Sequence, residues 1–185
     1  SVGEDPTRSL RAVRFTVRYG CHLGRQEEPL AANAVRLGLP GRLAGPRVLN
    51  ELRLSFAERD PLAILQRLQA LGVLRAIHPA LEPARGAEAV FQRLAGLAAA
   101  EGGRAGGVRP ERWQVCLLAL LADRRPGEVR AAVRRLQPPP RAAAKLLDDA
   151  ADFGRLRRAL ERRGSYRPSA VARLLRAASP EVALL

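Results

Sequence analysis

Methionine is absent from this 185-residue chain, and all but one of its 32 cationic side chains are arginine, the exception being Lys145. Aromatic residues make up only 4%. Strand signals are correspondingly weak, while the abundant Ala, Leu and Arg favour helix. No apolar run approaches the ~18 residues of a membrane span, because arginine interrupts each one. Neither a transmembrane nor a secretory segment is expected. The cysteines, Cys21 and Cys116, stand far apart. They suggest neither a disulfide framework nor a Cys-x-x-Cys metal site, and a reducing cytoplasm suits them. Acidic residues are also few: 18 against 32 cations leave a formal charge of +14 and a pI near 11.5. That balance fits an anionic partner better than a neutral metabolite, since arginine forks match phosphate oxygens and base edges.

With 47% hydrophobic and 27% charged residues, the chain can bury one sizeable core or two small ones. The fold class expected is all-α, a multi-helix array. Glu4-Asp5-Pro6 announces a first helix that runs to Tyr19 and stops at Gly20. A second covers 28–37 and is closed by the breaker Gly38-Leu39-Pro40-Gly41. Gly45-Pro46 opens a helix to Ala57, and Asp60-Pro61 opens another through Leu71, ended by Gly72. These are proline-start and glycine-stop signals. A short turn through Ile77 ends before Pro79. Further helices are expected over 86–100, 110–122, 126–136, 139–150, 153–163 and 168–178, with Glu101-Gly102-Gly103-Arg104-Ala105-Gly106-Gly107 as a linker. The terminal Val182-Ala183-Leu184-Leu185 reads as cut, and the missing initiator methionine fits either processing or a piece of a longer protein.

Plotted at about 100° per residue from Arg8, Arg11, Arg14 and Arg18 fall within roughly 120° of arc, opposite Leu10, Val13 and Val17. One helix thus combines a core stripe with an arginine stripe. The order of its residues is more specific than the stripe. Glu4-Asp5-Pro6-Thr7-Arg8-Ser9-Leu10-Arg11-Ala12-Val13-Arg14-Phe15, followed by Tyr19-Gly20, resembles the E-D-x-x-R…L-R-A-x-R-F…G motif of class II tRNA nucleotidyltransferases and bacterial poly(A) polymerases, which add CCA or A to RNA 3′ ends. Arg47-Val48-Leu49-Asn50-Glu51-Leu52 is similar to the family's R-I-x-x-E-L helix, with Pro46 where the family usually has Glu. The segment from Asp60-Pro61-Leu62 through Leu71-Gly72-Val73-Leu74 to His78-Pro79 is similar to the stretch that follows in the family.

The chemistry of the first motif can also be argued from its residues. Cytosine and adenine each present an exocyclic amine beside a ring-nitrogen acceptor, whereas uracil and guanine present a carbonyl beside an N–H. A carboxylate and a guanidinium one helical turn apart, Asp5 and Arg8, complement the former pattern and leave unpaired groups against the latter. The resemblance implies that role for Asp5 and Arg8 toward CTP or ATP. It places Arg11 and Arg14 in the nucleotide site or in the packing around it, and leaves Glu4 as either an orienter of Arg8 or a helix cap. It further implies a neck-like domain over 1–80 and a body-like domain over 81–185, with RNA, tRNA first, as the polymeric partner.

Nucleotidyl transfer in this family needs a G-S…D-x-D carboxylate pair on a strand to hold Mg²⁺. The sequence contains no D-x-D. The resemblance therefore implies a catalytic head N-terminal to Ser1 that supplies the metal, and a chain that does not catalyse alone. Asp148-Asp149 with Asp152 is expected to be solvated surface, Cys116 a core thiol, and His78 before Pro79 the end of a helix. No metal ligand set is expected around His22 or His78. The arginines at 124–125, 130, 134–135, 155–158 and 162–163 suggest a basic face able to track RNA. The alternative functions are a stand-alone helical RNA-binding module and a helical protein-interaction scaffold.

Overall fold

The computed structural model describes residues 7–20, 27–84, 86–100, 111–162, 171, 175 and 178–185. Among them are eleven α-helices, one 3₁₀ turn and no strand, in agreement with the all-α expectation. The helices are α1 (Arg8–Tyr19), α2 (Glu27–Arg36), α3 (Leu39–Arg42), α4 (Gly45–Ala57), α5 (Pro61–Ala70), α6 (Val73–Ile77), α7 (Ala87–Ala100), α8 (Arg112–Leu121), α9 (Pro126–Leu136), α10 (Pro140–Arg162) and α11 (Pro180–Ala183), with the 3₁₀ turn at Pro79–Leu81. The predicted loop 101–107, most of the predicted helix 168–178, and His22 and Cys21 lie outside the described residues.

Punctuation in the sequence sets most boundaries. The Asp60 carboxylate accepts the Ala63 backbone N–H at 2.9 Å, and Pro61 takes the first helical position of α5, where its missing N–H costs nothing. Gly72, at φ 69°, turns the chain from α5 into α6, a left-handed conformation that a side chain would strain. His78 does close α6. Its Nδ1 then accepts the Ala80 N–H at 3.1 Å and starts the 3₁₀ turn.

Three expectations change. The supposed breaker at residues 38–41 is a single helical turn, α3, because Gly38 supplies the left-handed residue and Pro40 sits in the first turn. The helices expected over 139–150 and 153–163 are one 23-residue helix. Asp152 is an interior residue paired with Arg155 in the next turn, and Arg157 pairs with both Asp123 and Glu161. The acidic cluster is also not wholly solvated. Asp149 is buried, and with Glu181 it receives the Lys145 ammonium, at 2.9 and 2.7 Å respectively. Burial pulls the Lys145 pKa down, but its hydrogen bonds to Glu181 and Asp149 outweigh that, and the net shift is upward. The only lysine in the sequence thus fastens α11 to α10, assisted by Val182, which is buried in the core.

One hydrophobic core extends from Leu10 and Val13 on α1 through α4, α5, α7, α8 and α9 to Val182 on α11. Helix α8 is its axis, with every residue from Trp113 to Leu121 buried. Cys116 lies in it with no exposure, and burial pushes its thiol up to about 12 against a smaller opposing effect of Arg112. That makes it an unreactive core thiol. Helix α4 packs against α8 and also crosses α9. At the crossing, a Cβ on Gly45 would stand 2.4 Å from the Arg135 carbonyl oxygen, so only glycine permits this approach. The Arg135 guanidinium bonds the carbonyls of Pro40 and Gly41, at 3.3 and 2.9 Å, and Arg124 bonds that of Glu82 at 2.8 Å. Arg124 and Arg135, in the predicted RNA-tracking stretches, thus also hold distant segments of the fold together.

His78 yields a pH prediction. Its pKa lies below the ordinary 6.5, chiefly through burial and then through the positive charge of Arg135, with Glu128 opposing weakly. Protonation also removes the Nδ1 acceptor that starts the 3₁₀ turn. A group whose folded-state pKa is depressed contributes stability above its unfolded pKa and loses it as pH falls through the folded value. Urea unfolding followed from about pH 8 to about pH 5 should show the wild-type midpoint falling toward that of His78→Gln. A gap between the two that widens on acidification contradicts this role.

Candidate nucleotide site

Helix α1 meets the rest of the protein through Leu10 and Val13, both fully buried against α5 and α4. The arginines one turn around the helix then face the side of α4. Glu51 lies within α4 and Glu58 is the extended residue that ends it, and both stand beside α1. Arg14 Nη2 reaches Glu51 at 3.4 Å and Arg14 Nη1 reaches Glu58 at 3.4 Å. Arg11 Nε lies 3.7 Å from Glu51, and Arg18 Nη1 lies 3.5 Å from Glu58. Three arginines of one helix thus grip two carboxylates of its neighbour. Arg14, 7% exposed, is the centre of the cluster, and Glu51 is 8% exposed. The Arg14 guanidinium also lies 4.7 Å from the centroid of the Phe15 ring.

The arginine stripe read from the sequence is therefore divided by the fold. Arg14 is consumed internally. Arg11 keeps half of its side chain in solvent while one edge touches Glu51. Arg8 is the first residue of α1, and Glu4 and Asp5 lie outside the described residues. The ion cluster sets the roll and position of α1 on α4.

Beside that end is a cleft of about 450 Å³ lined by Thr7, Arg11, Pro46, Arg47, Asn50 and Glu51. It joins the two sequence motifs, which are separated by some thirty residues in the chain. Pro46 occupies the first turn of α4. The departure from the resembling family's glutamate thus falls at a helix start that favours proline. Arg47 is exposed and has no ion-pair partner among the described residues. The mouth of the cleft is accordingly cationic, with the Glu51 carboxylate turned toward Arg14 and Arg11. Such a site can accept a phosphate or another anionic group. The carboxylate of Glu51 was visible in the second motif, but its partnership with Arg14 was not; the matching seven-residue spacings, 11 to 18 and 51 to 58, were the available signal.

Among the described residues no group of three or more His, Cys, Asp or Glu side chains could hold a metal ion, and no helix is long and apolar enough to cross a membrane.

No family model matches the chain. Individual proteins do. An A-adding tRNA nucleotidyltransferase of Geobacter sulfurreducens is 49% identical over 78 residues, covering 42% of this chain and 9% of that protein. A second protein of that name, from Aquifex aeolicus, is 38% identical over 91 residues, or 49% of this chain and 11% of its own length. The Multifunctional CCA protein of Neisseria gonorrhoeae is 33% identical over 79 residues, 43% of this chain and 19% of its own. The chain therefore spans a minor part of these relatives' length. Among solved structures, a tRNA-processing enzyme with CTP matches all of this chain and 50% of its own, with a TM-score of 0.75 at 25% identity. The Thermotoga maritima CCA-adding enzyme complexed with tRNA matches 100% of this chain and 44% of its own, at TM-score 0.77 and 22% identity, a likeness of fold.

Proposed function

We propose that this chain, similar in sequence and fold to the helical region of the class II tRNA nucleotidyltransferases, is the nucleotide-selecting and RNA-binding part of an enzyme that adds CCA or A to RNA 3′ ends without a nucleic-acid template. The observation that carries this reading is the cleft at the start of α1, where Thr7 and Arg11 of the first motif meet Arg47, Asn50 and Glu51 of the second. Asp5 and Arg8 read the Watson–Crick edge of the incoming CTP or ATP. Arg11 borders the triphosphate, and Arg14 acts from beneath by locking α1 to Glu51 and Glu58. Glu4 either steadies Arg8 or caps the helix.

Residues 1–80 form the neck-like unit with the selector, and 81–185 the body-like unit that helps to hold RNA, tRNA first. The Mg²⁺ carboxylates belong to a catalytic head N-terminal to Ser1, and the chain by itself does not catalyse. The whole enzyme is cytoplasmic. The supporting facts are the A-adding and CCA-adding relatives and the structural neighbours solved with CTP and with tRNA.

The test is nucleotide choice in the full-length protein. Arg8→Ala or Asp5→Ala should erode the preference for CTP and ATP over UTP and GTP by about 100-fold or more, because the mismatched bases no longer leave buried groups unpaired. RNA affinity should persist. Unchanged nucleotide preference in both variants would sink the selector. RNA binding without any nucleotide effect would favour a plain RNA-binding module, and no RNA binding at all a protein-interaction scaffold.

A further inference from the structure

The outward face of α4 does not end at the nucleotide cleft. Asn50 also lines a second depression, of about 430 Å³, together with Arg53, Leu54 and Ala57 of α4 and Glu111, Arg112 and Trp113 at the start of α8. Arg47, Asn50, Leu54 and Ala57 recur every three or four residues, so the two depressions follow one helical face for roughly 15 Å. We propose that this face is a track for the single-stranded 3′ end of the RNA substrate, with the Arg53–Trp113 stack as the platform for one of its unpaired bases. The inference rests on the function proposed above.

The stack is built rather than incidental. The Trp113 indole N–H donates to the Glu111 carboxylate, which fixes the ring and engages the one acid of the depression. The Arg53 guanidinium lies 5.1 Å from the indole centroid. Trp113 is itself buried and Arg53 exposed, so the surface offered to a ligand is the outer side of a guanidinium that sits over the indole. Unpaired bases stack on guanidinium planes, and a base held there gains a cation–π contact that no amino-acid side chain except another aromatic could match. Leu54, 42% exposed, gives the base an apolar wall.

Phosphates are accommodated on either side. Arg47 and Arg53 have no ion-pair partner among the described residues. Arg112 lines the depression with two buried guanidinium nitrogens, Nε and Nη2, that lack hydrogen-bond partners. Unsatisfied N–H groups of this kind are costly and are rarely left without an acceptor. A phosphate oxygen supplies that acceptor as the guanidinium turns toward it.

The experiment measures binding of a hairpin RNA with a single-stranded 3′ tail, and of the same hairpin with a blunt end, to the full-length protein. Arg53 is exposed, so Arg53→Gln should leave folding intact. It should weaken the tailed RNA by about tenfold and the blunt RNA by less than about twofold, and lower the salt dependence of tailed-RNA binding by about one counterion. Arg112→Gln should act in the same direction, and Arg53→Lys, which keeps the charge but not the plane, should not restore affinity. Equal loss for tailed and blunt RNA, rescue by lysine, or displacement of the tail by a short poly-glutamate peptide as readily as by unlabelled tail would overturn the base platform. Wild-type affinity in Arg53→Gln, with Arg8→Ala still altering nucleotide choice, removes the track and leaves the selector standing. Tail loss in Arg53→Gln with no nucleotide effect in Arg8→Ala removes the selector and keeps the track.

Discussion

Glu51→Ala should cost about 3 kcal/mol of folding stability, close to what is seen when one partner of a buried ion pair is removed. Arg14 is 7% exposed and has only Glu51 and Glu58 to balance it. Loss of Glu51 leaves the guanidinium with Glu58, which it shares with Arg18, and with an Nε that already lacks a partner. The remaining interaction cannot offset the desolvation of a buried cation. Urea titration should show a lower midpoint with an unchanged slope. The control is the double variant Arg14→Met, Glu51→Leu, in which neither charge is buried. It should recover most of the loss, because an apolar pair of similar volume is often neutral or better. A Glu51→Ala variant as stable as wild type would show that the cluster does not hold α1. If the proposed selector holds, the same variant should also blur nucleotide choice in the full-length protein, since α1 is then free to shift on α4 and carries Arg8 with it.

The second large effect is expected at the centre of the core. Phe91 on α7 is fully buried and meets Phe56 of α4 edge to face, with ring centroids 5.3 Å apart. Phe91→Ala removes a large apolar area and leaves a cavity that packed helices close only in part, a cost of about 3–5 kcal/mol. Phe56→Ala should cost a similar amount. The two losses should not add: a double-mutant cycle should return a coupling of about 1 kcal/mol, the part due to ring-on-ring geometry rather than to area. Strict additivity would mean that the rings only fill space. Neither change touches the cleft at α1. Any loss of nucleotide discrimination in these variants should therefore track the unfolded fraction, whereas that in Glu51→Ala should not.

How much of this was legible in the sequence differs by element. Helix starts at Pro61 and Pro126, and the stops at Gly20 and Gly72, agree with the structure because proline and glycine act through the local backbone alone. The one-turn helix α3 and the continuous α10 were misread for a related reason. Leu39-Pro40-Gly41 looks like a break, and the pattern over 139–163 looks like two helices, but Asp152 sits comfortably in a helix interior because Arg155 takes its carboxylate. Asp149 looked like surface because its partner, Glu181, and their common cation, Lys145, come together only across 36 residues of chain. Of the first motif, Arg11 and Arg14 could be picked out by order and spacing. Their different fates could not be, since exposure is a property of what the neighbouring chain places opposite each one.

Sequence alone determined the helical class, the excess of 32 cations, all but one arginine, over 18 acids that leaves the chain at +14, and the arginine stripe of α1 opposite its apolar stripe. These depend on residues within a turn or two of each other, where backbone preference and side-chain spacing suffice. Tertiary structure decided which arginines are available. Arg14, Arg124 and Arg135 are bound to carboxylates or carbonyls of distant segments, while Arg47 and Arg53 are left facing solvent along one side of α4. The reason is desolvation. A guanidinium is drawn into an interface only where an acceptor from a distant segment meets it, and the chain's local pattern carries no record of where that acceptor will be.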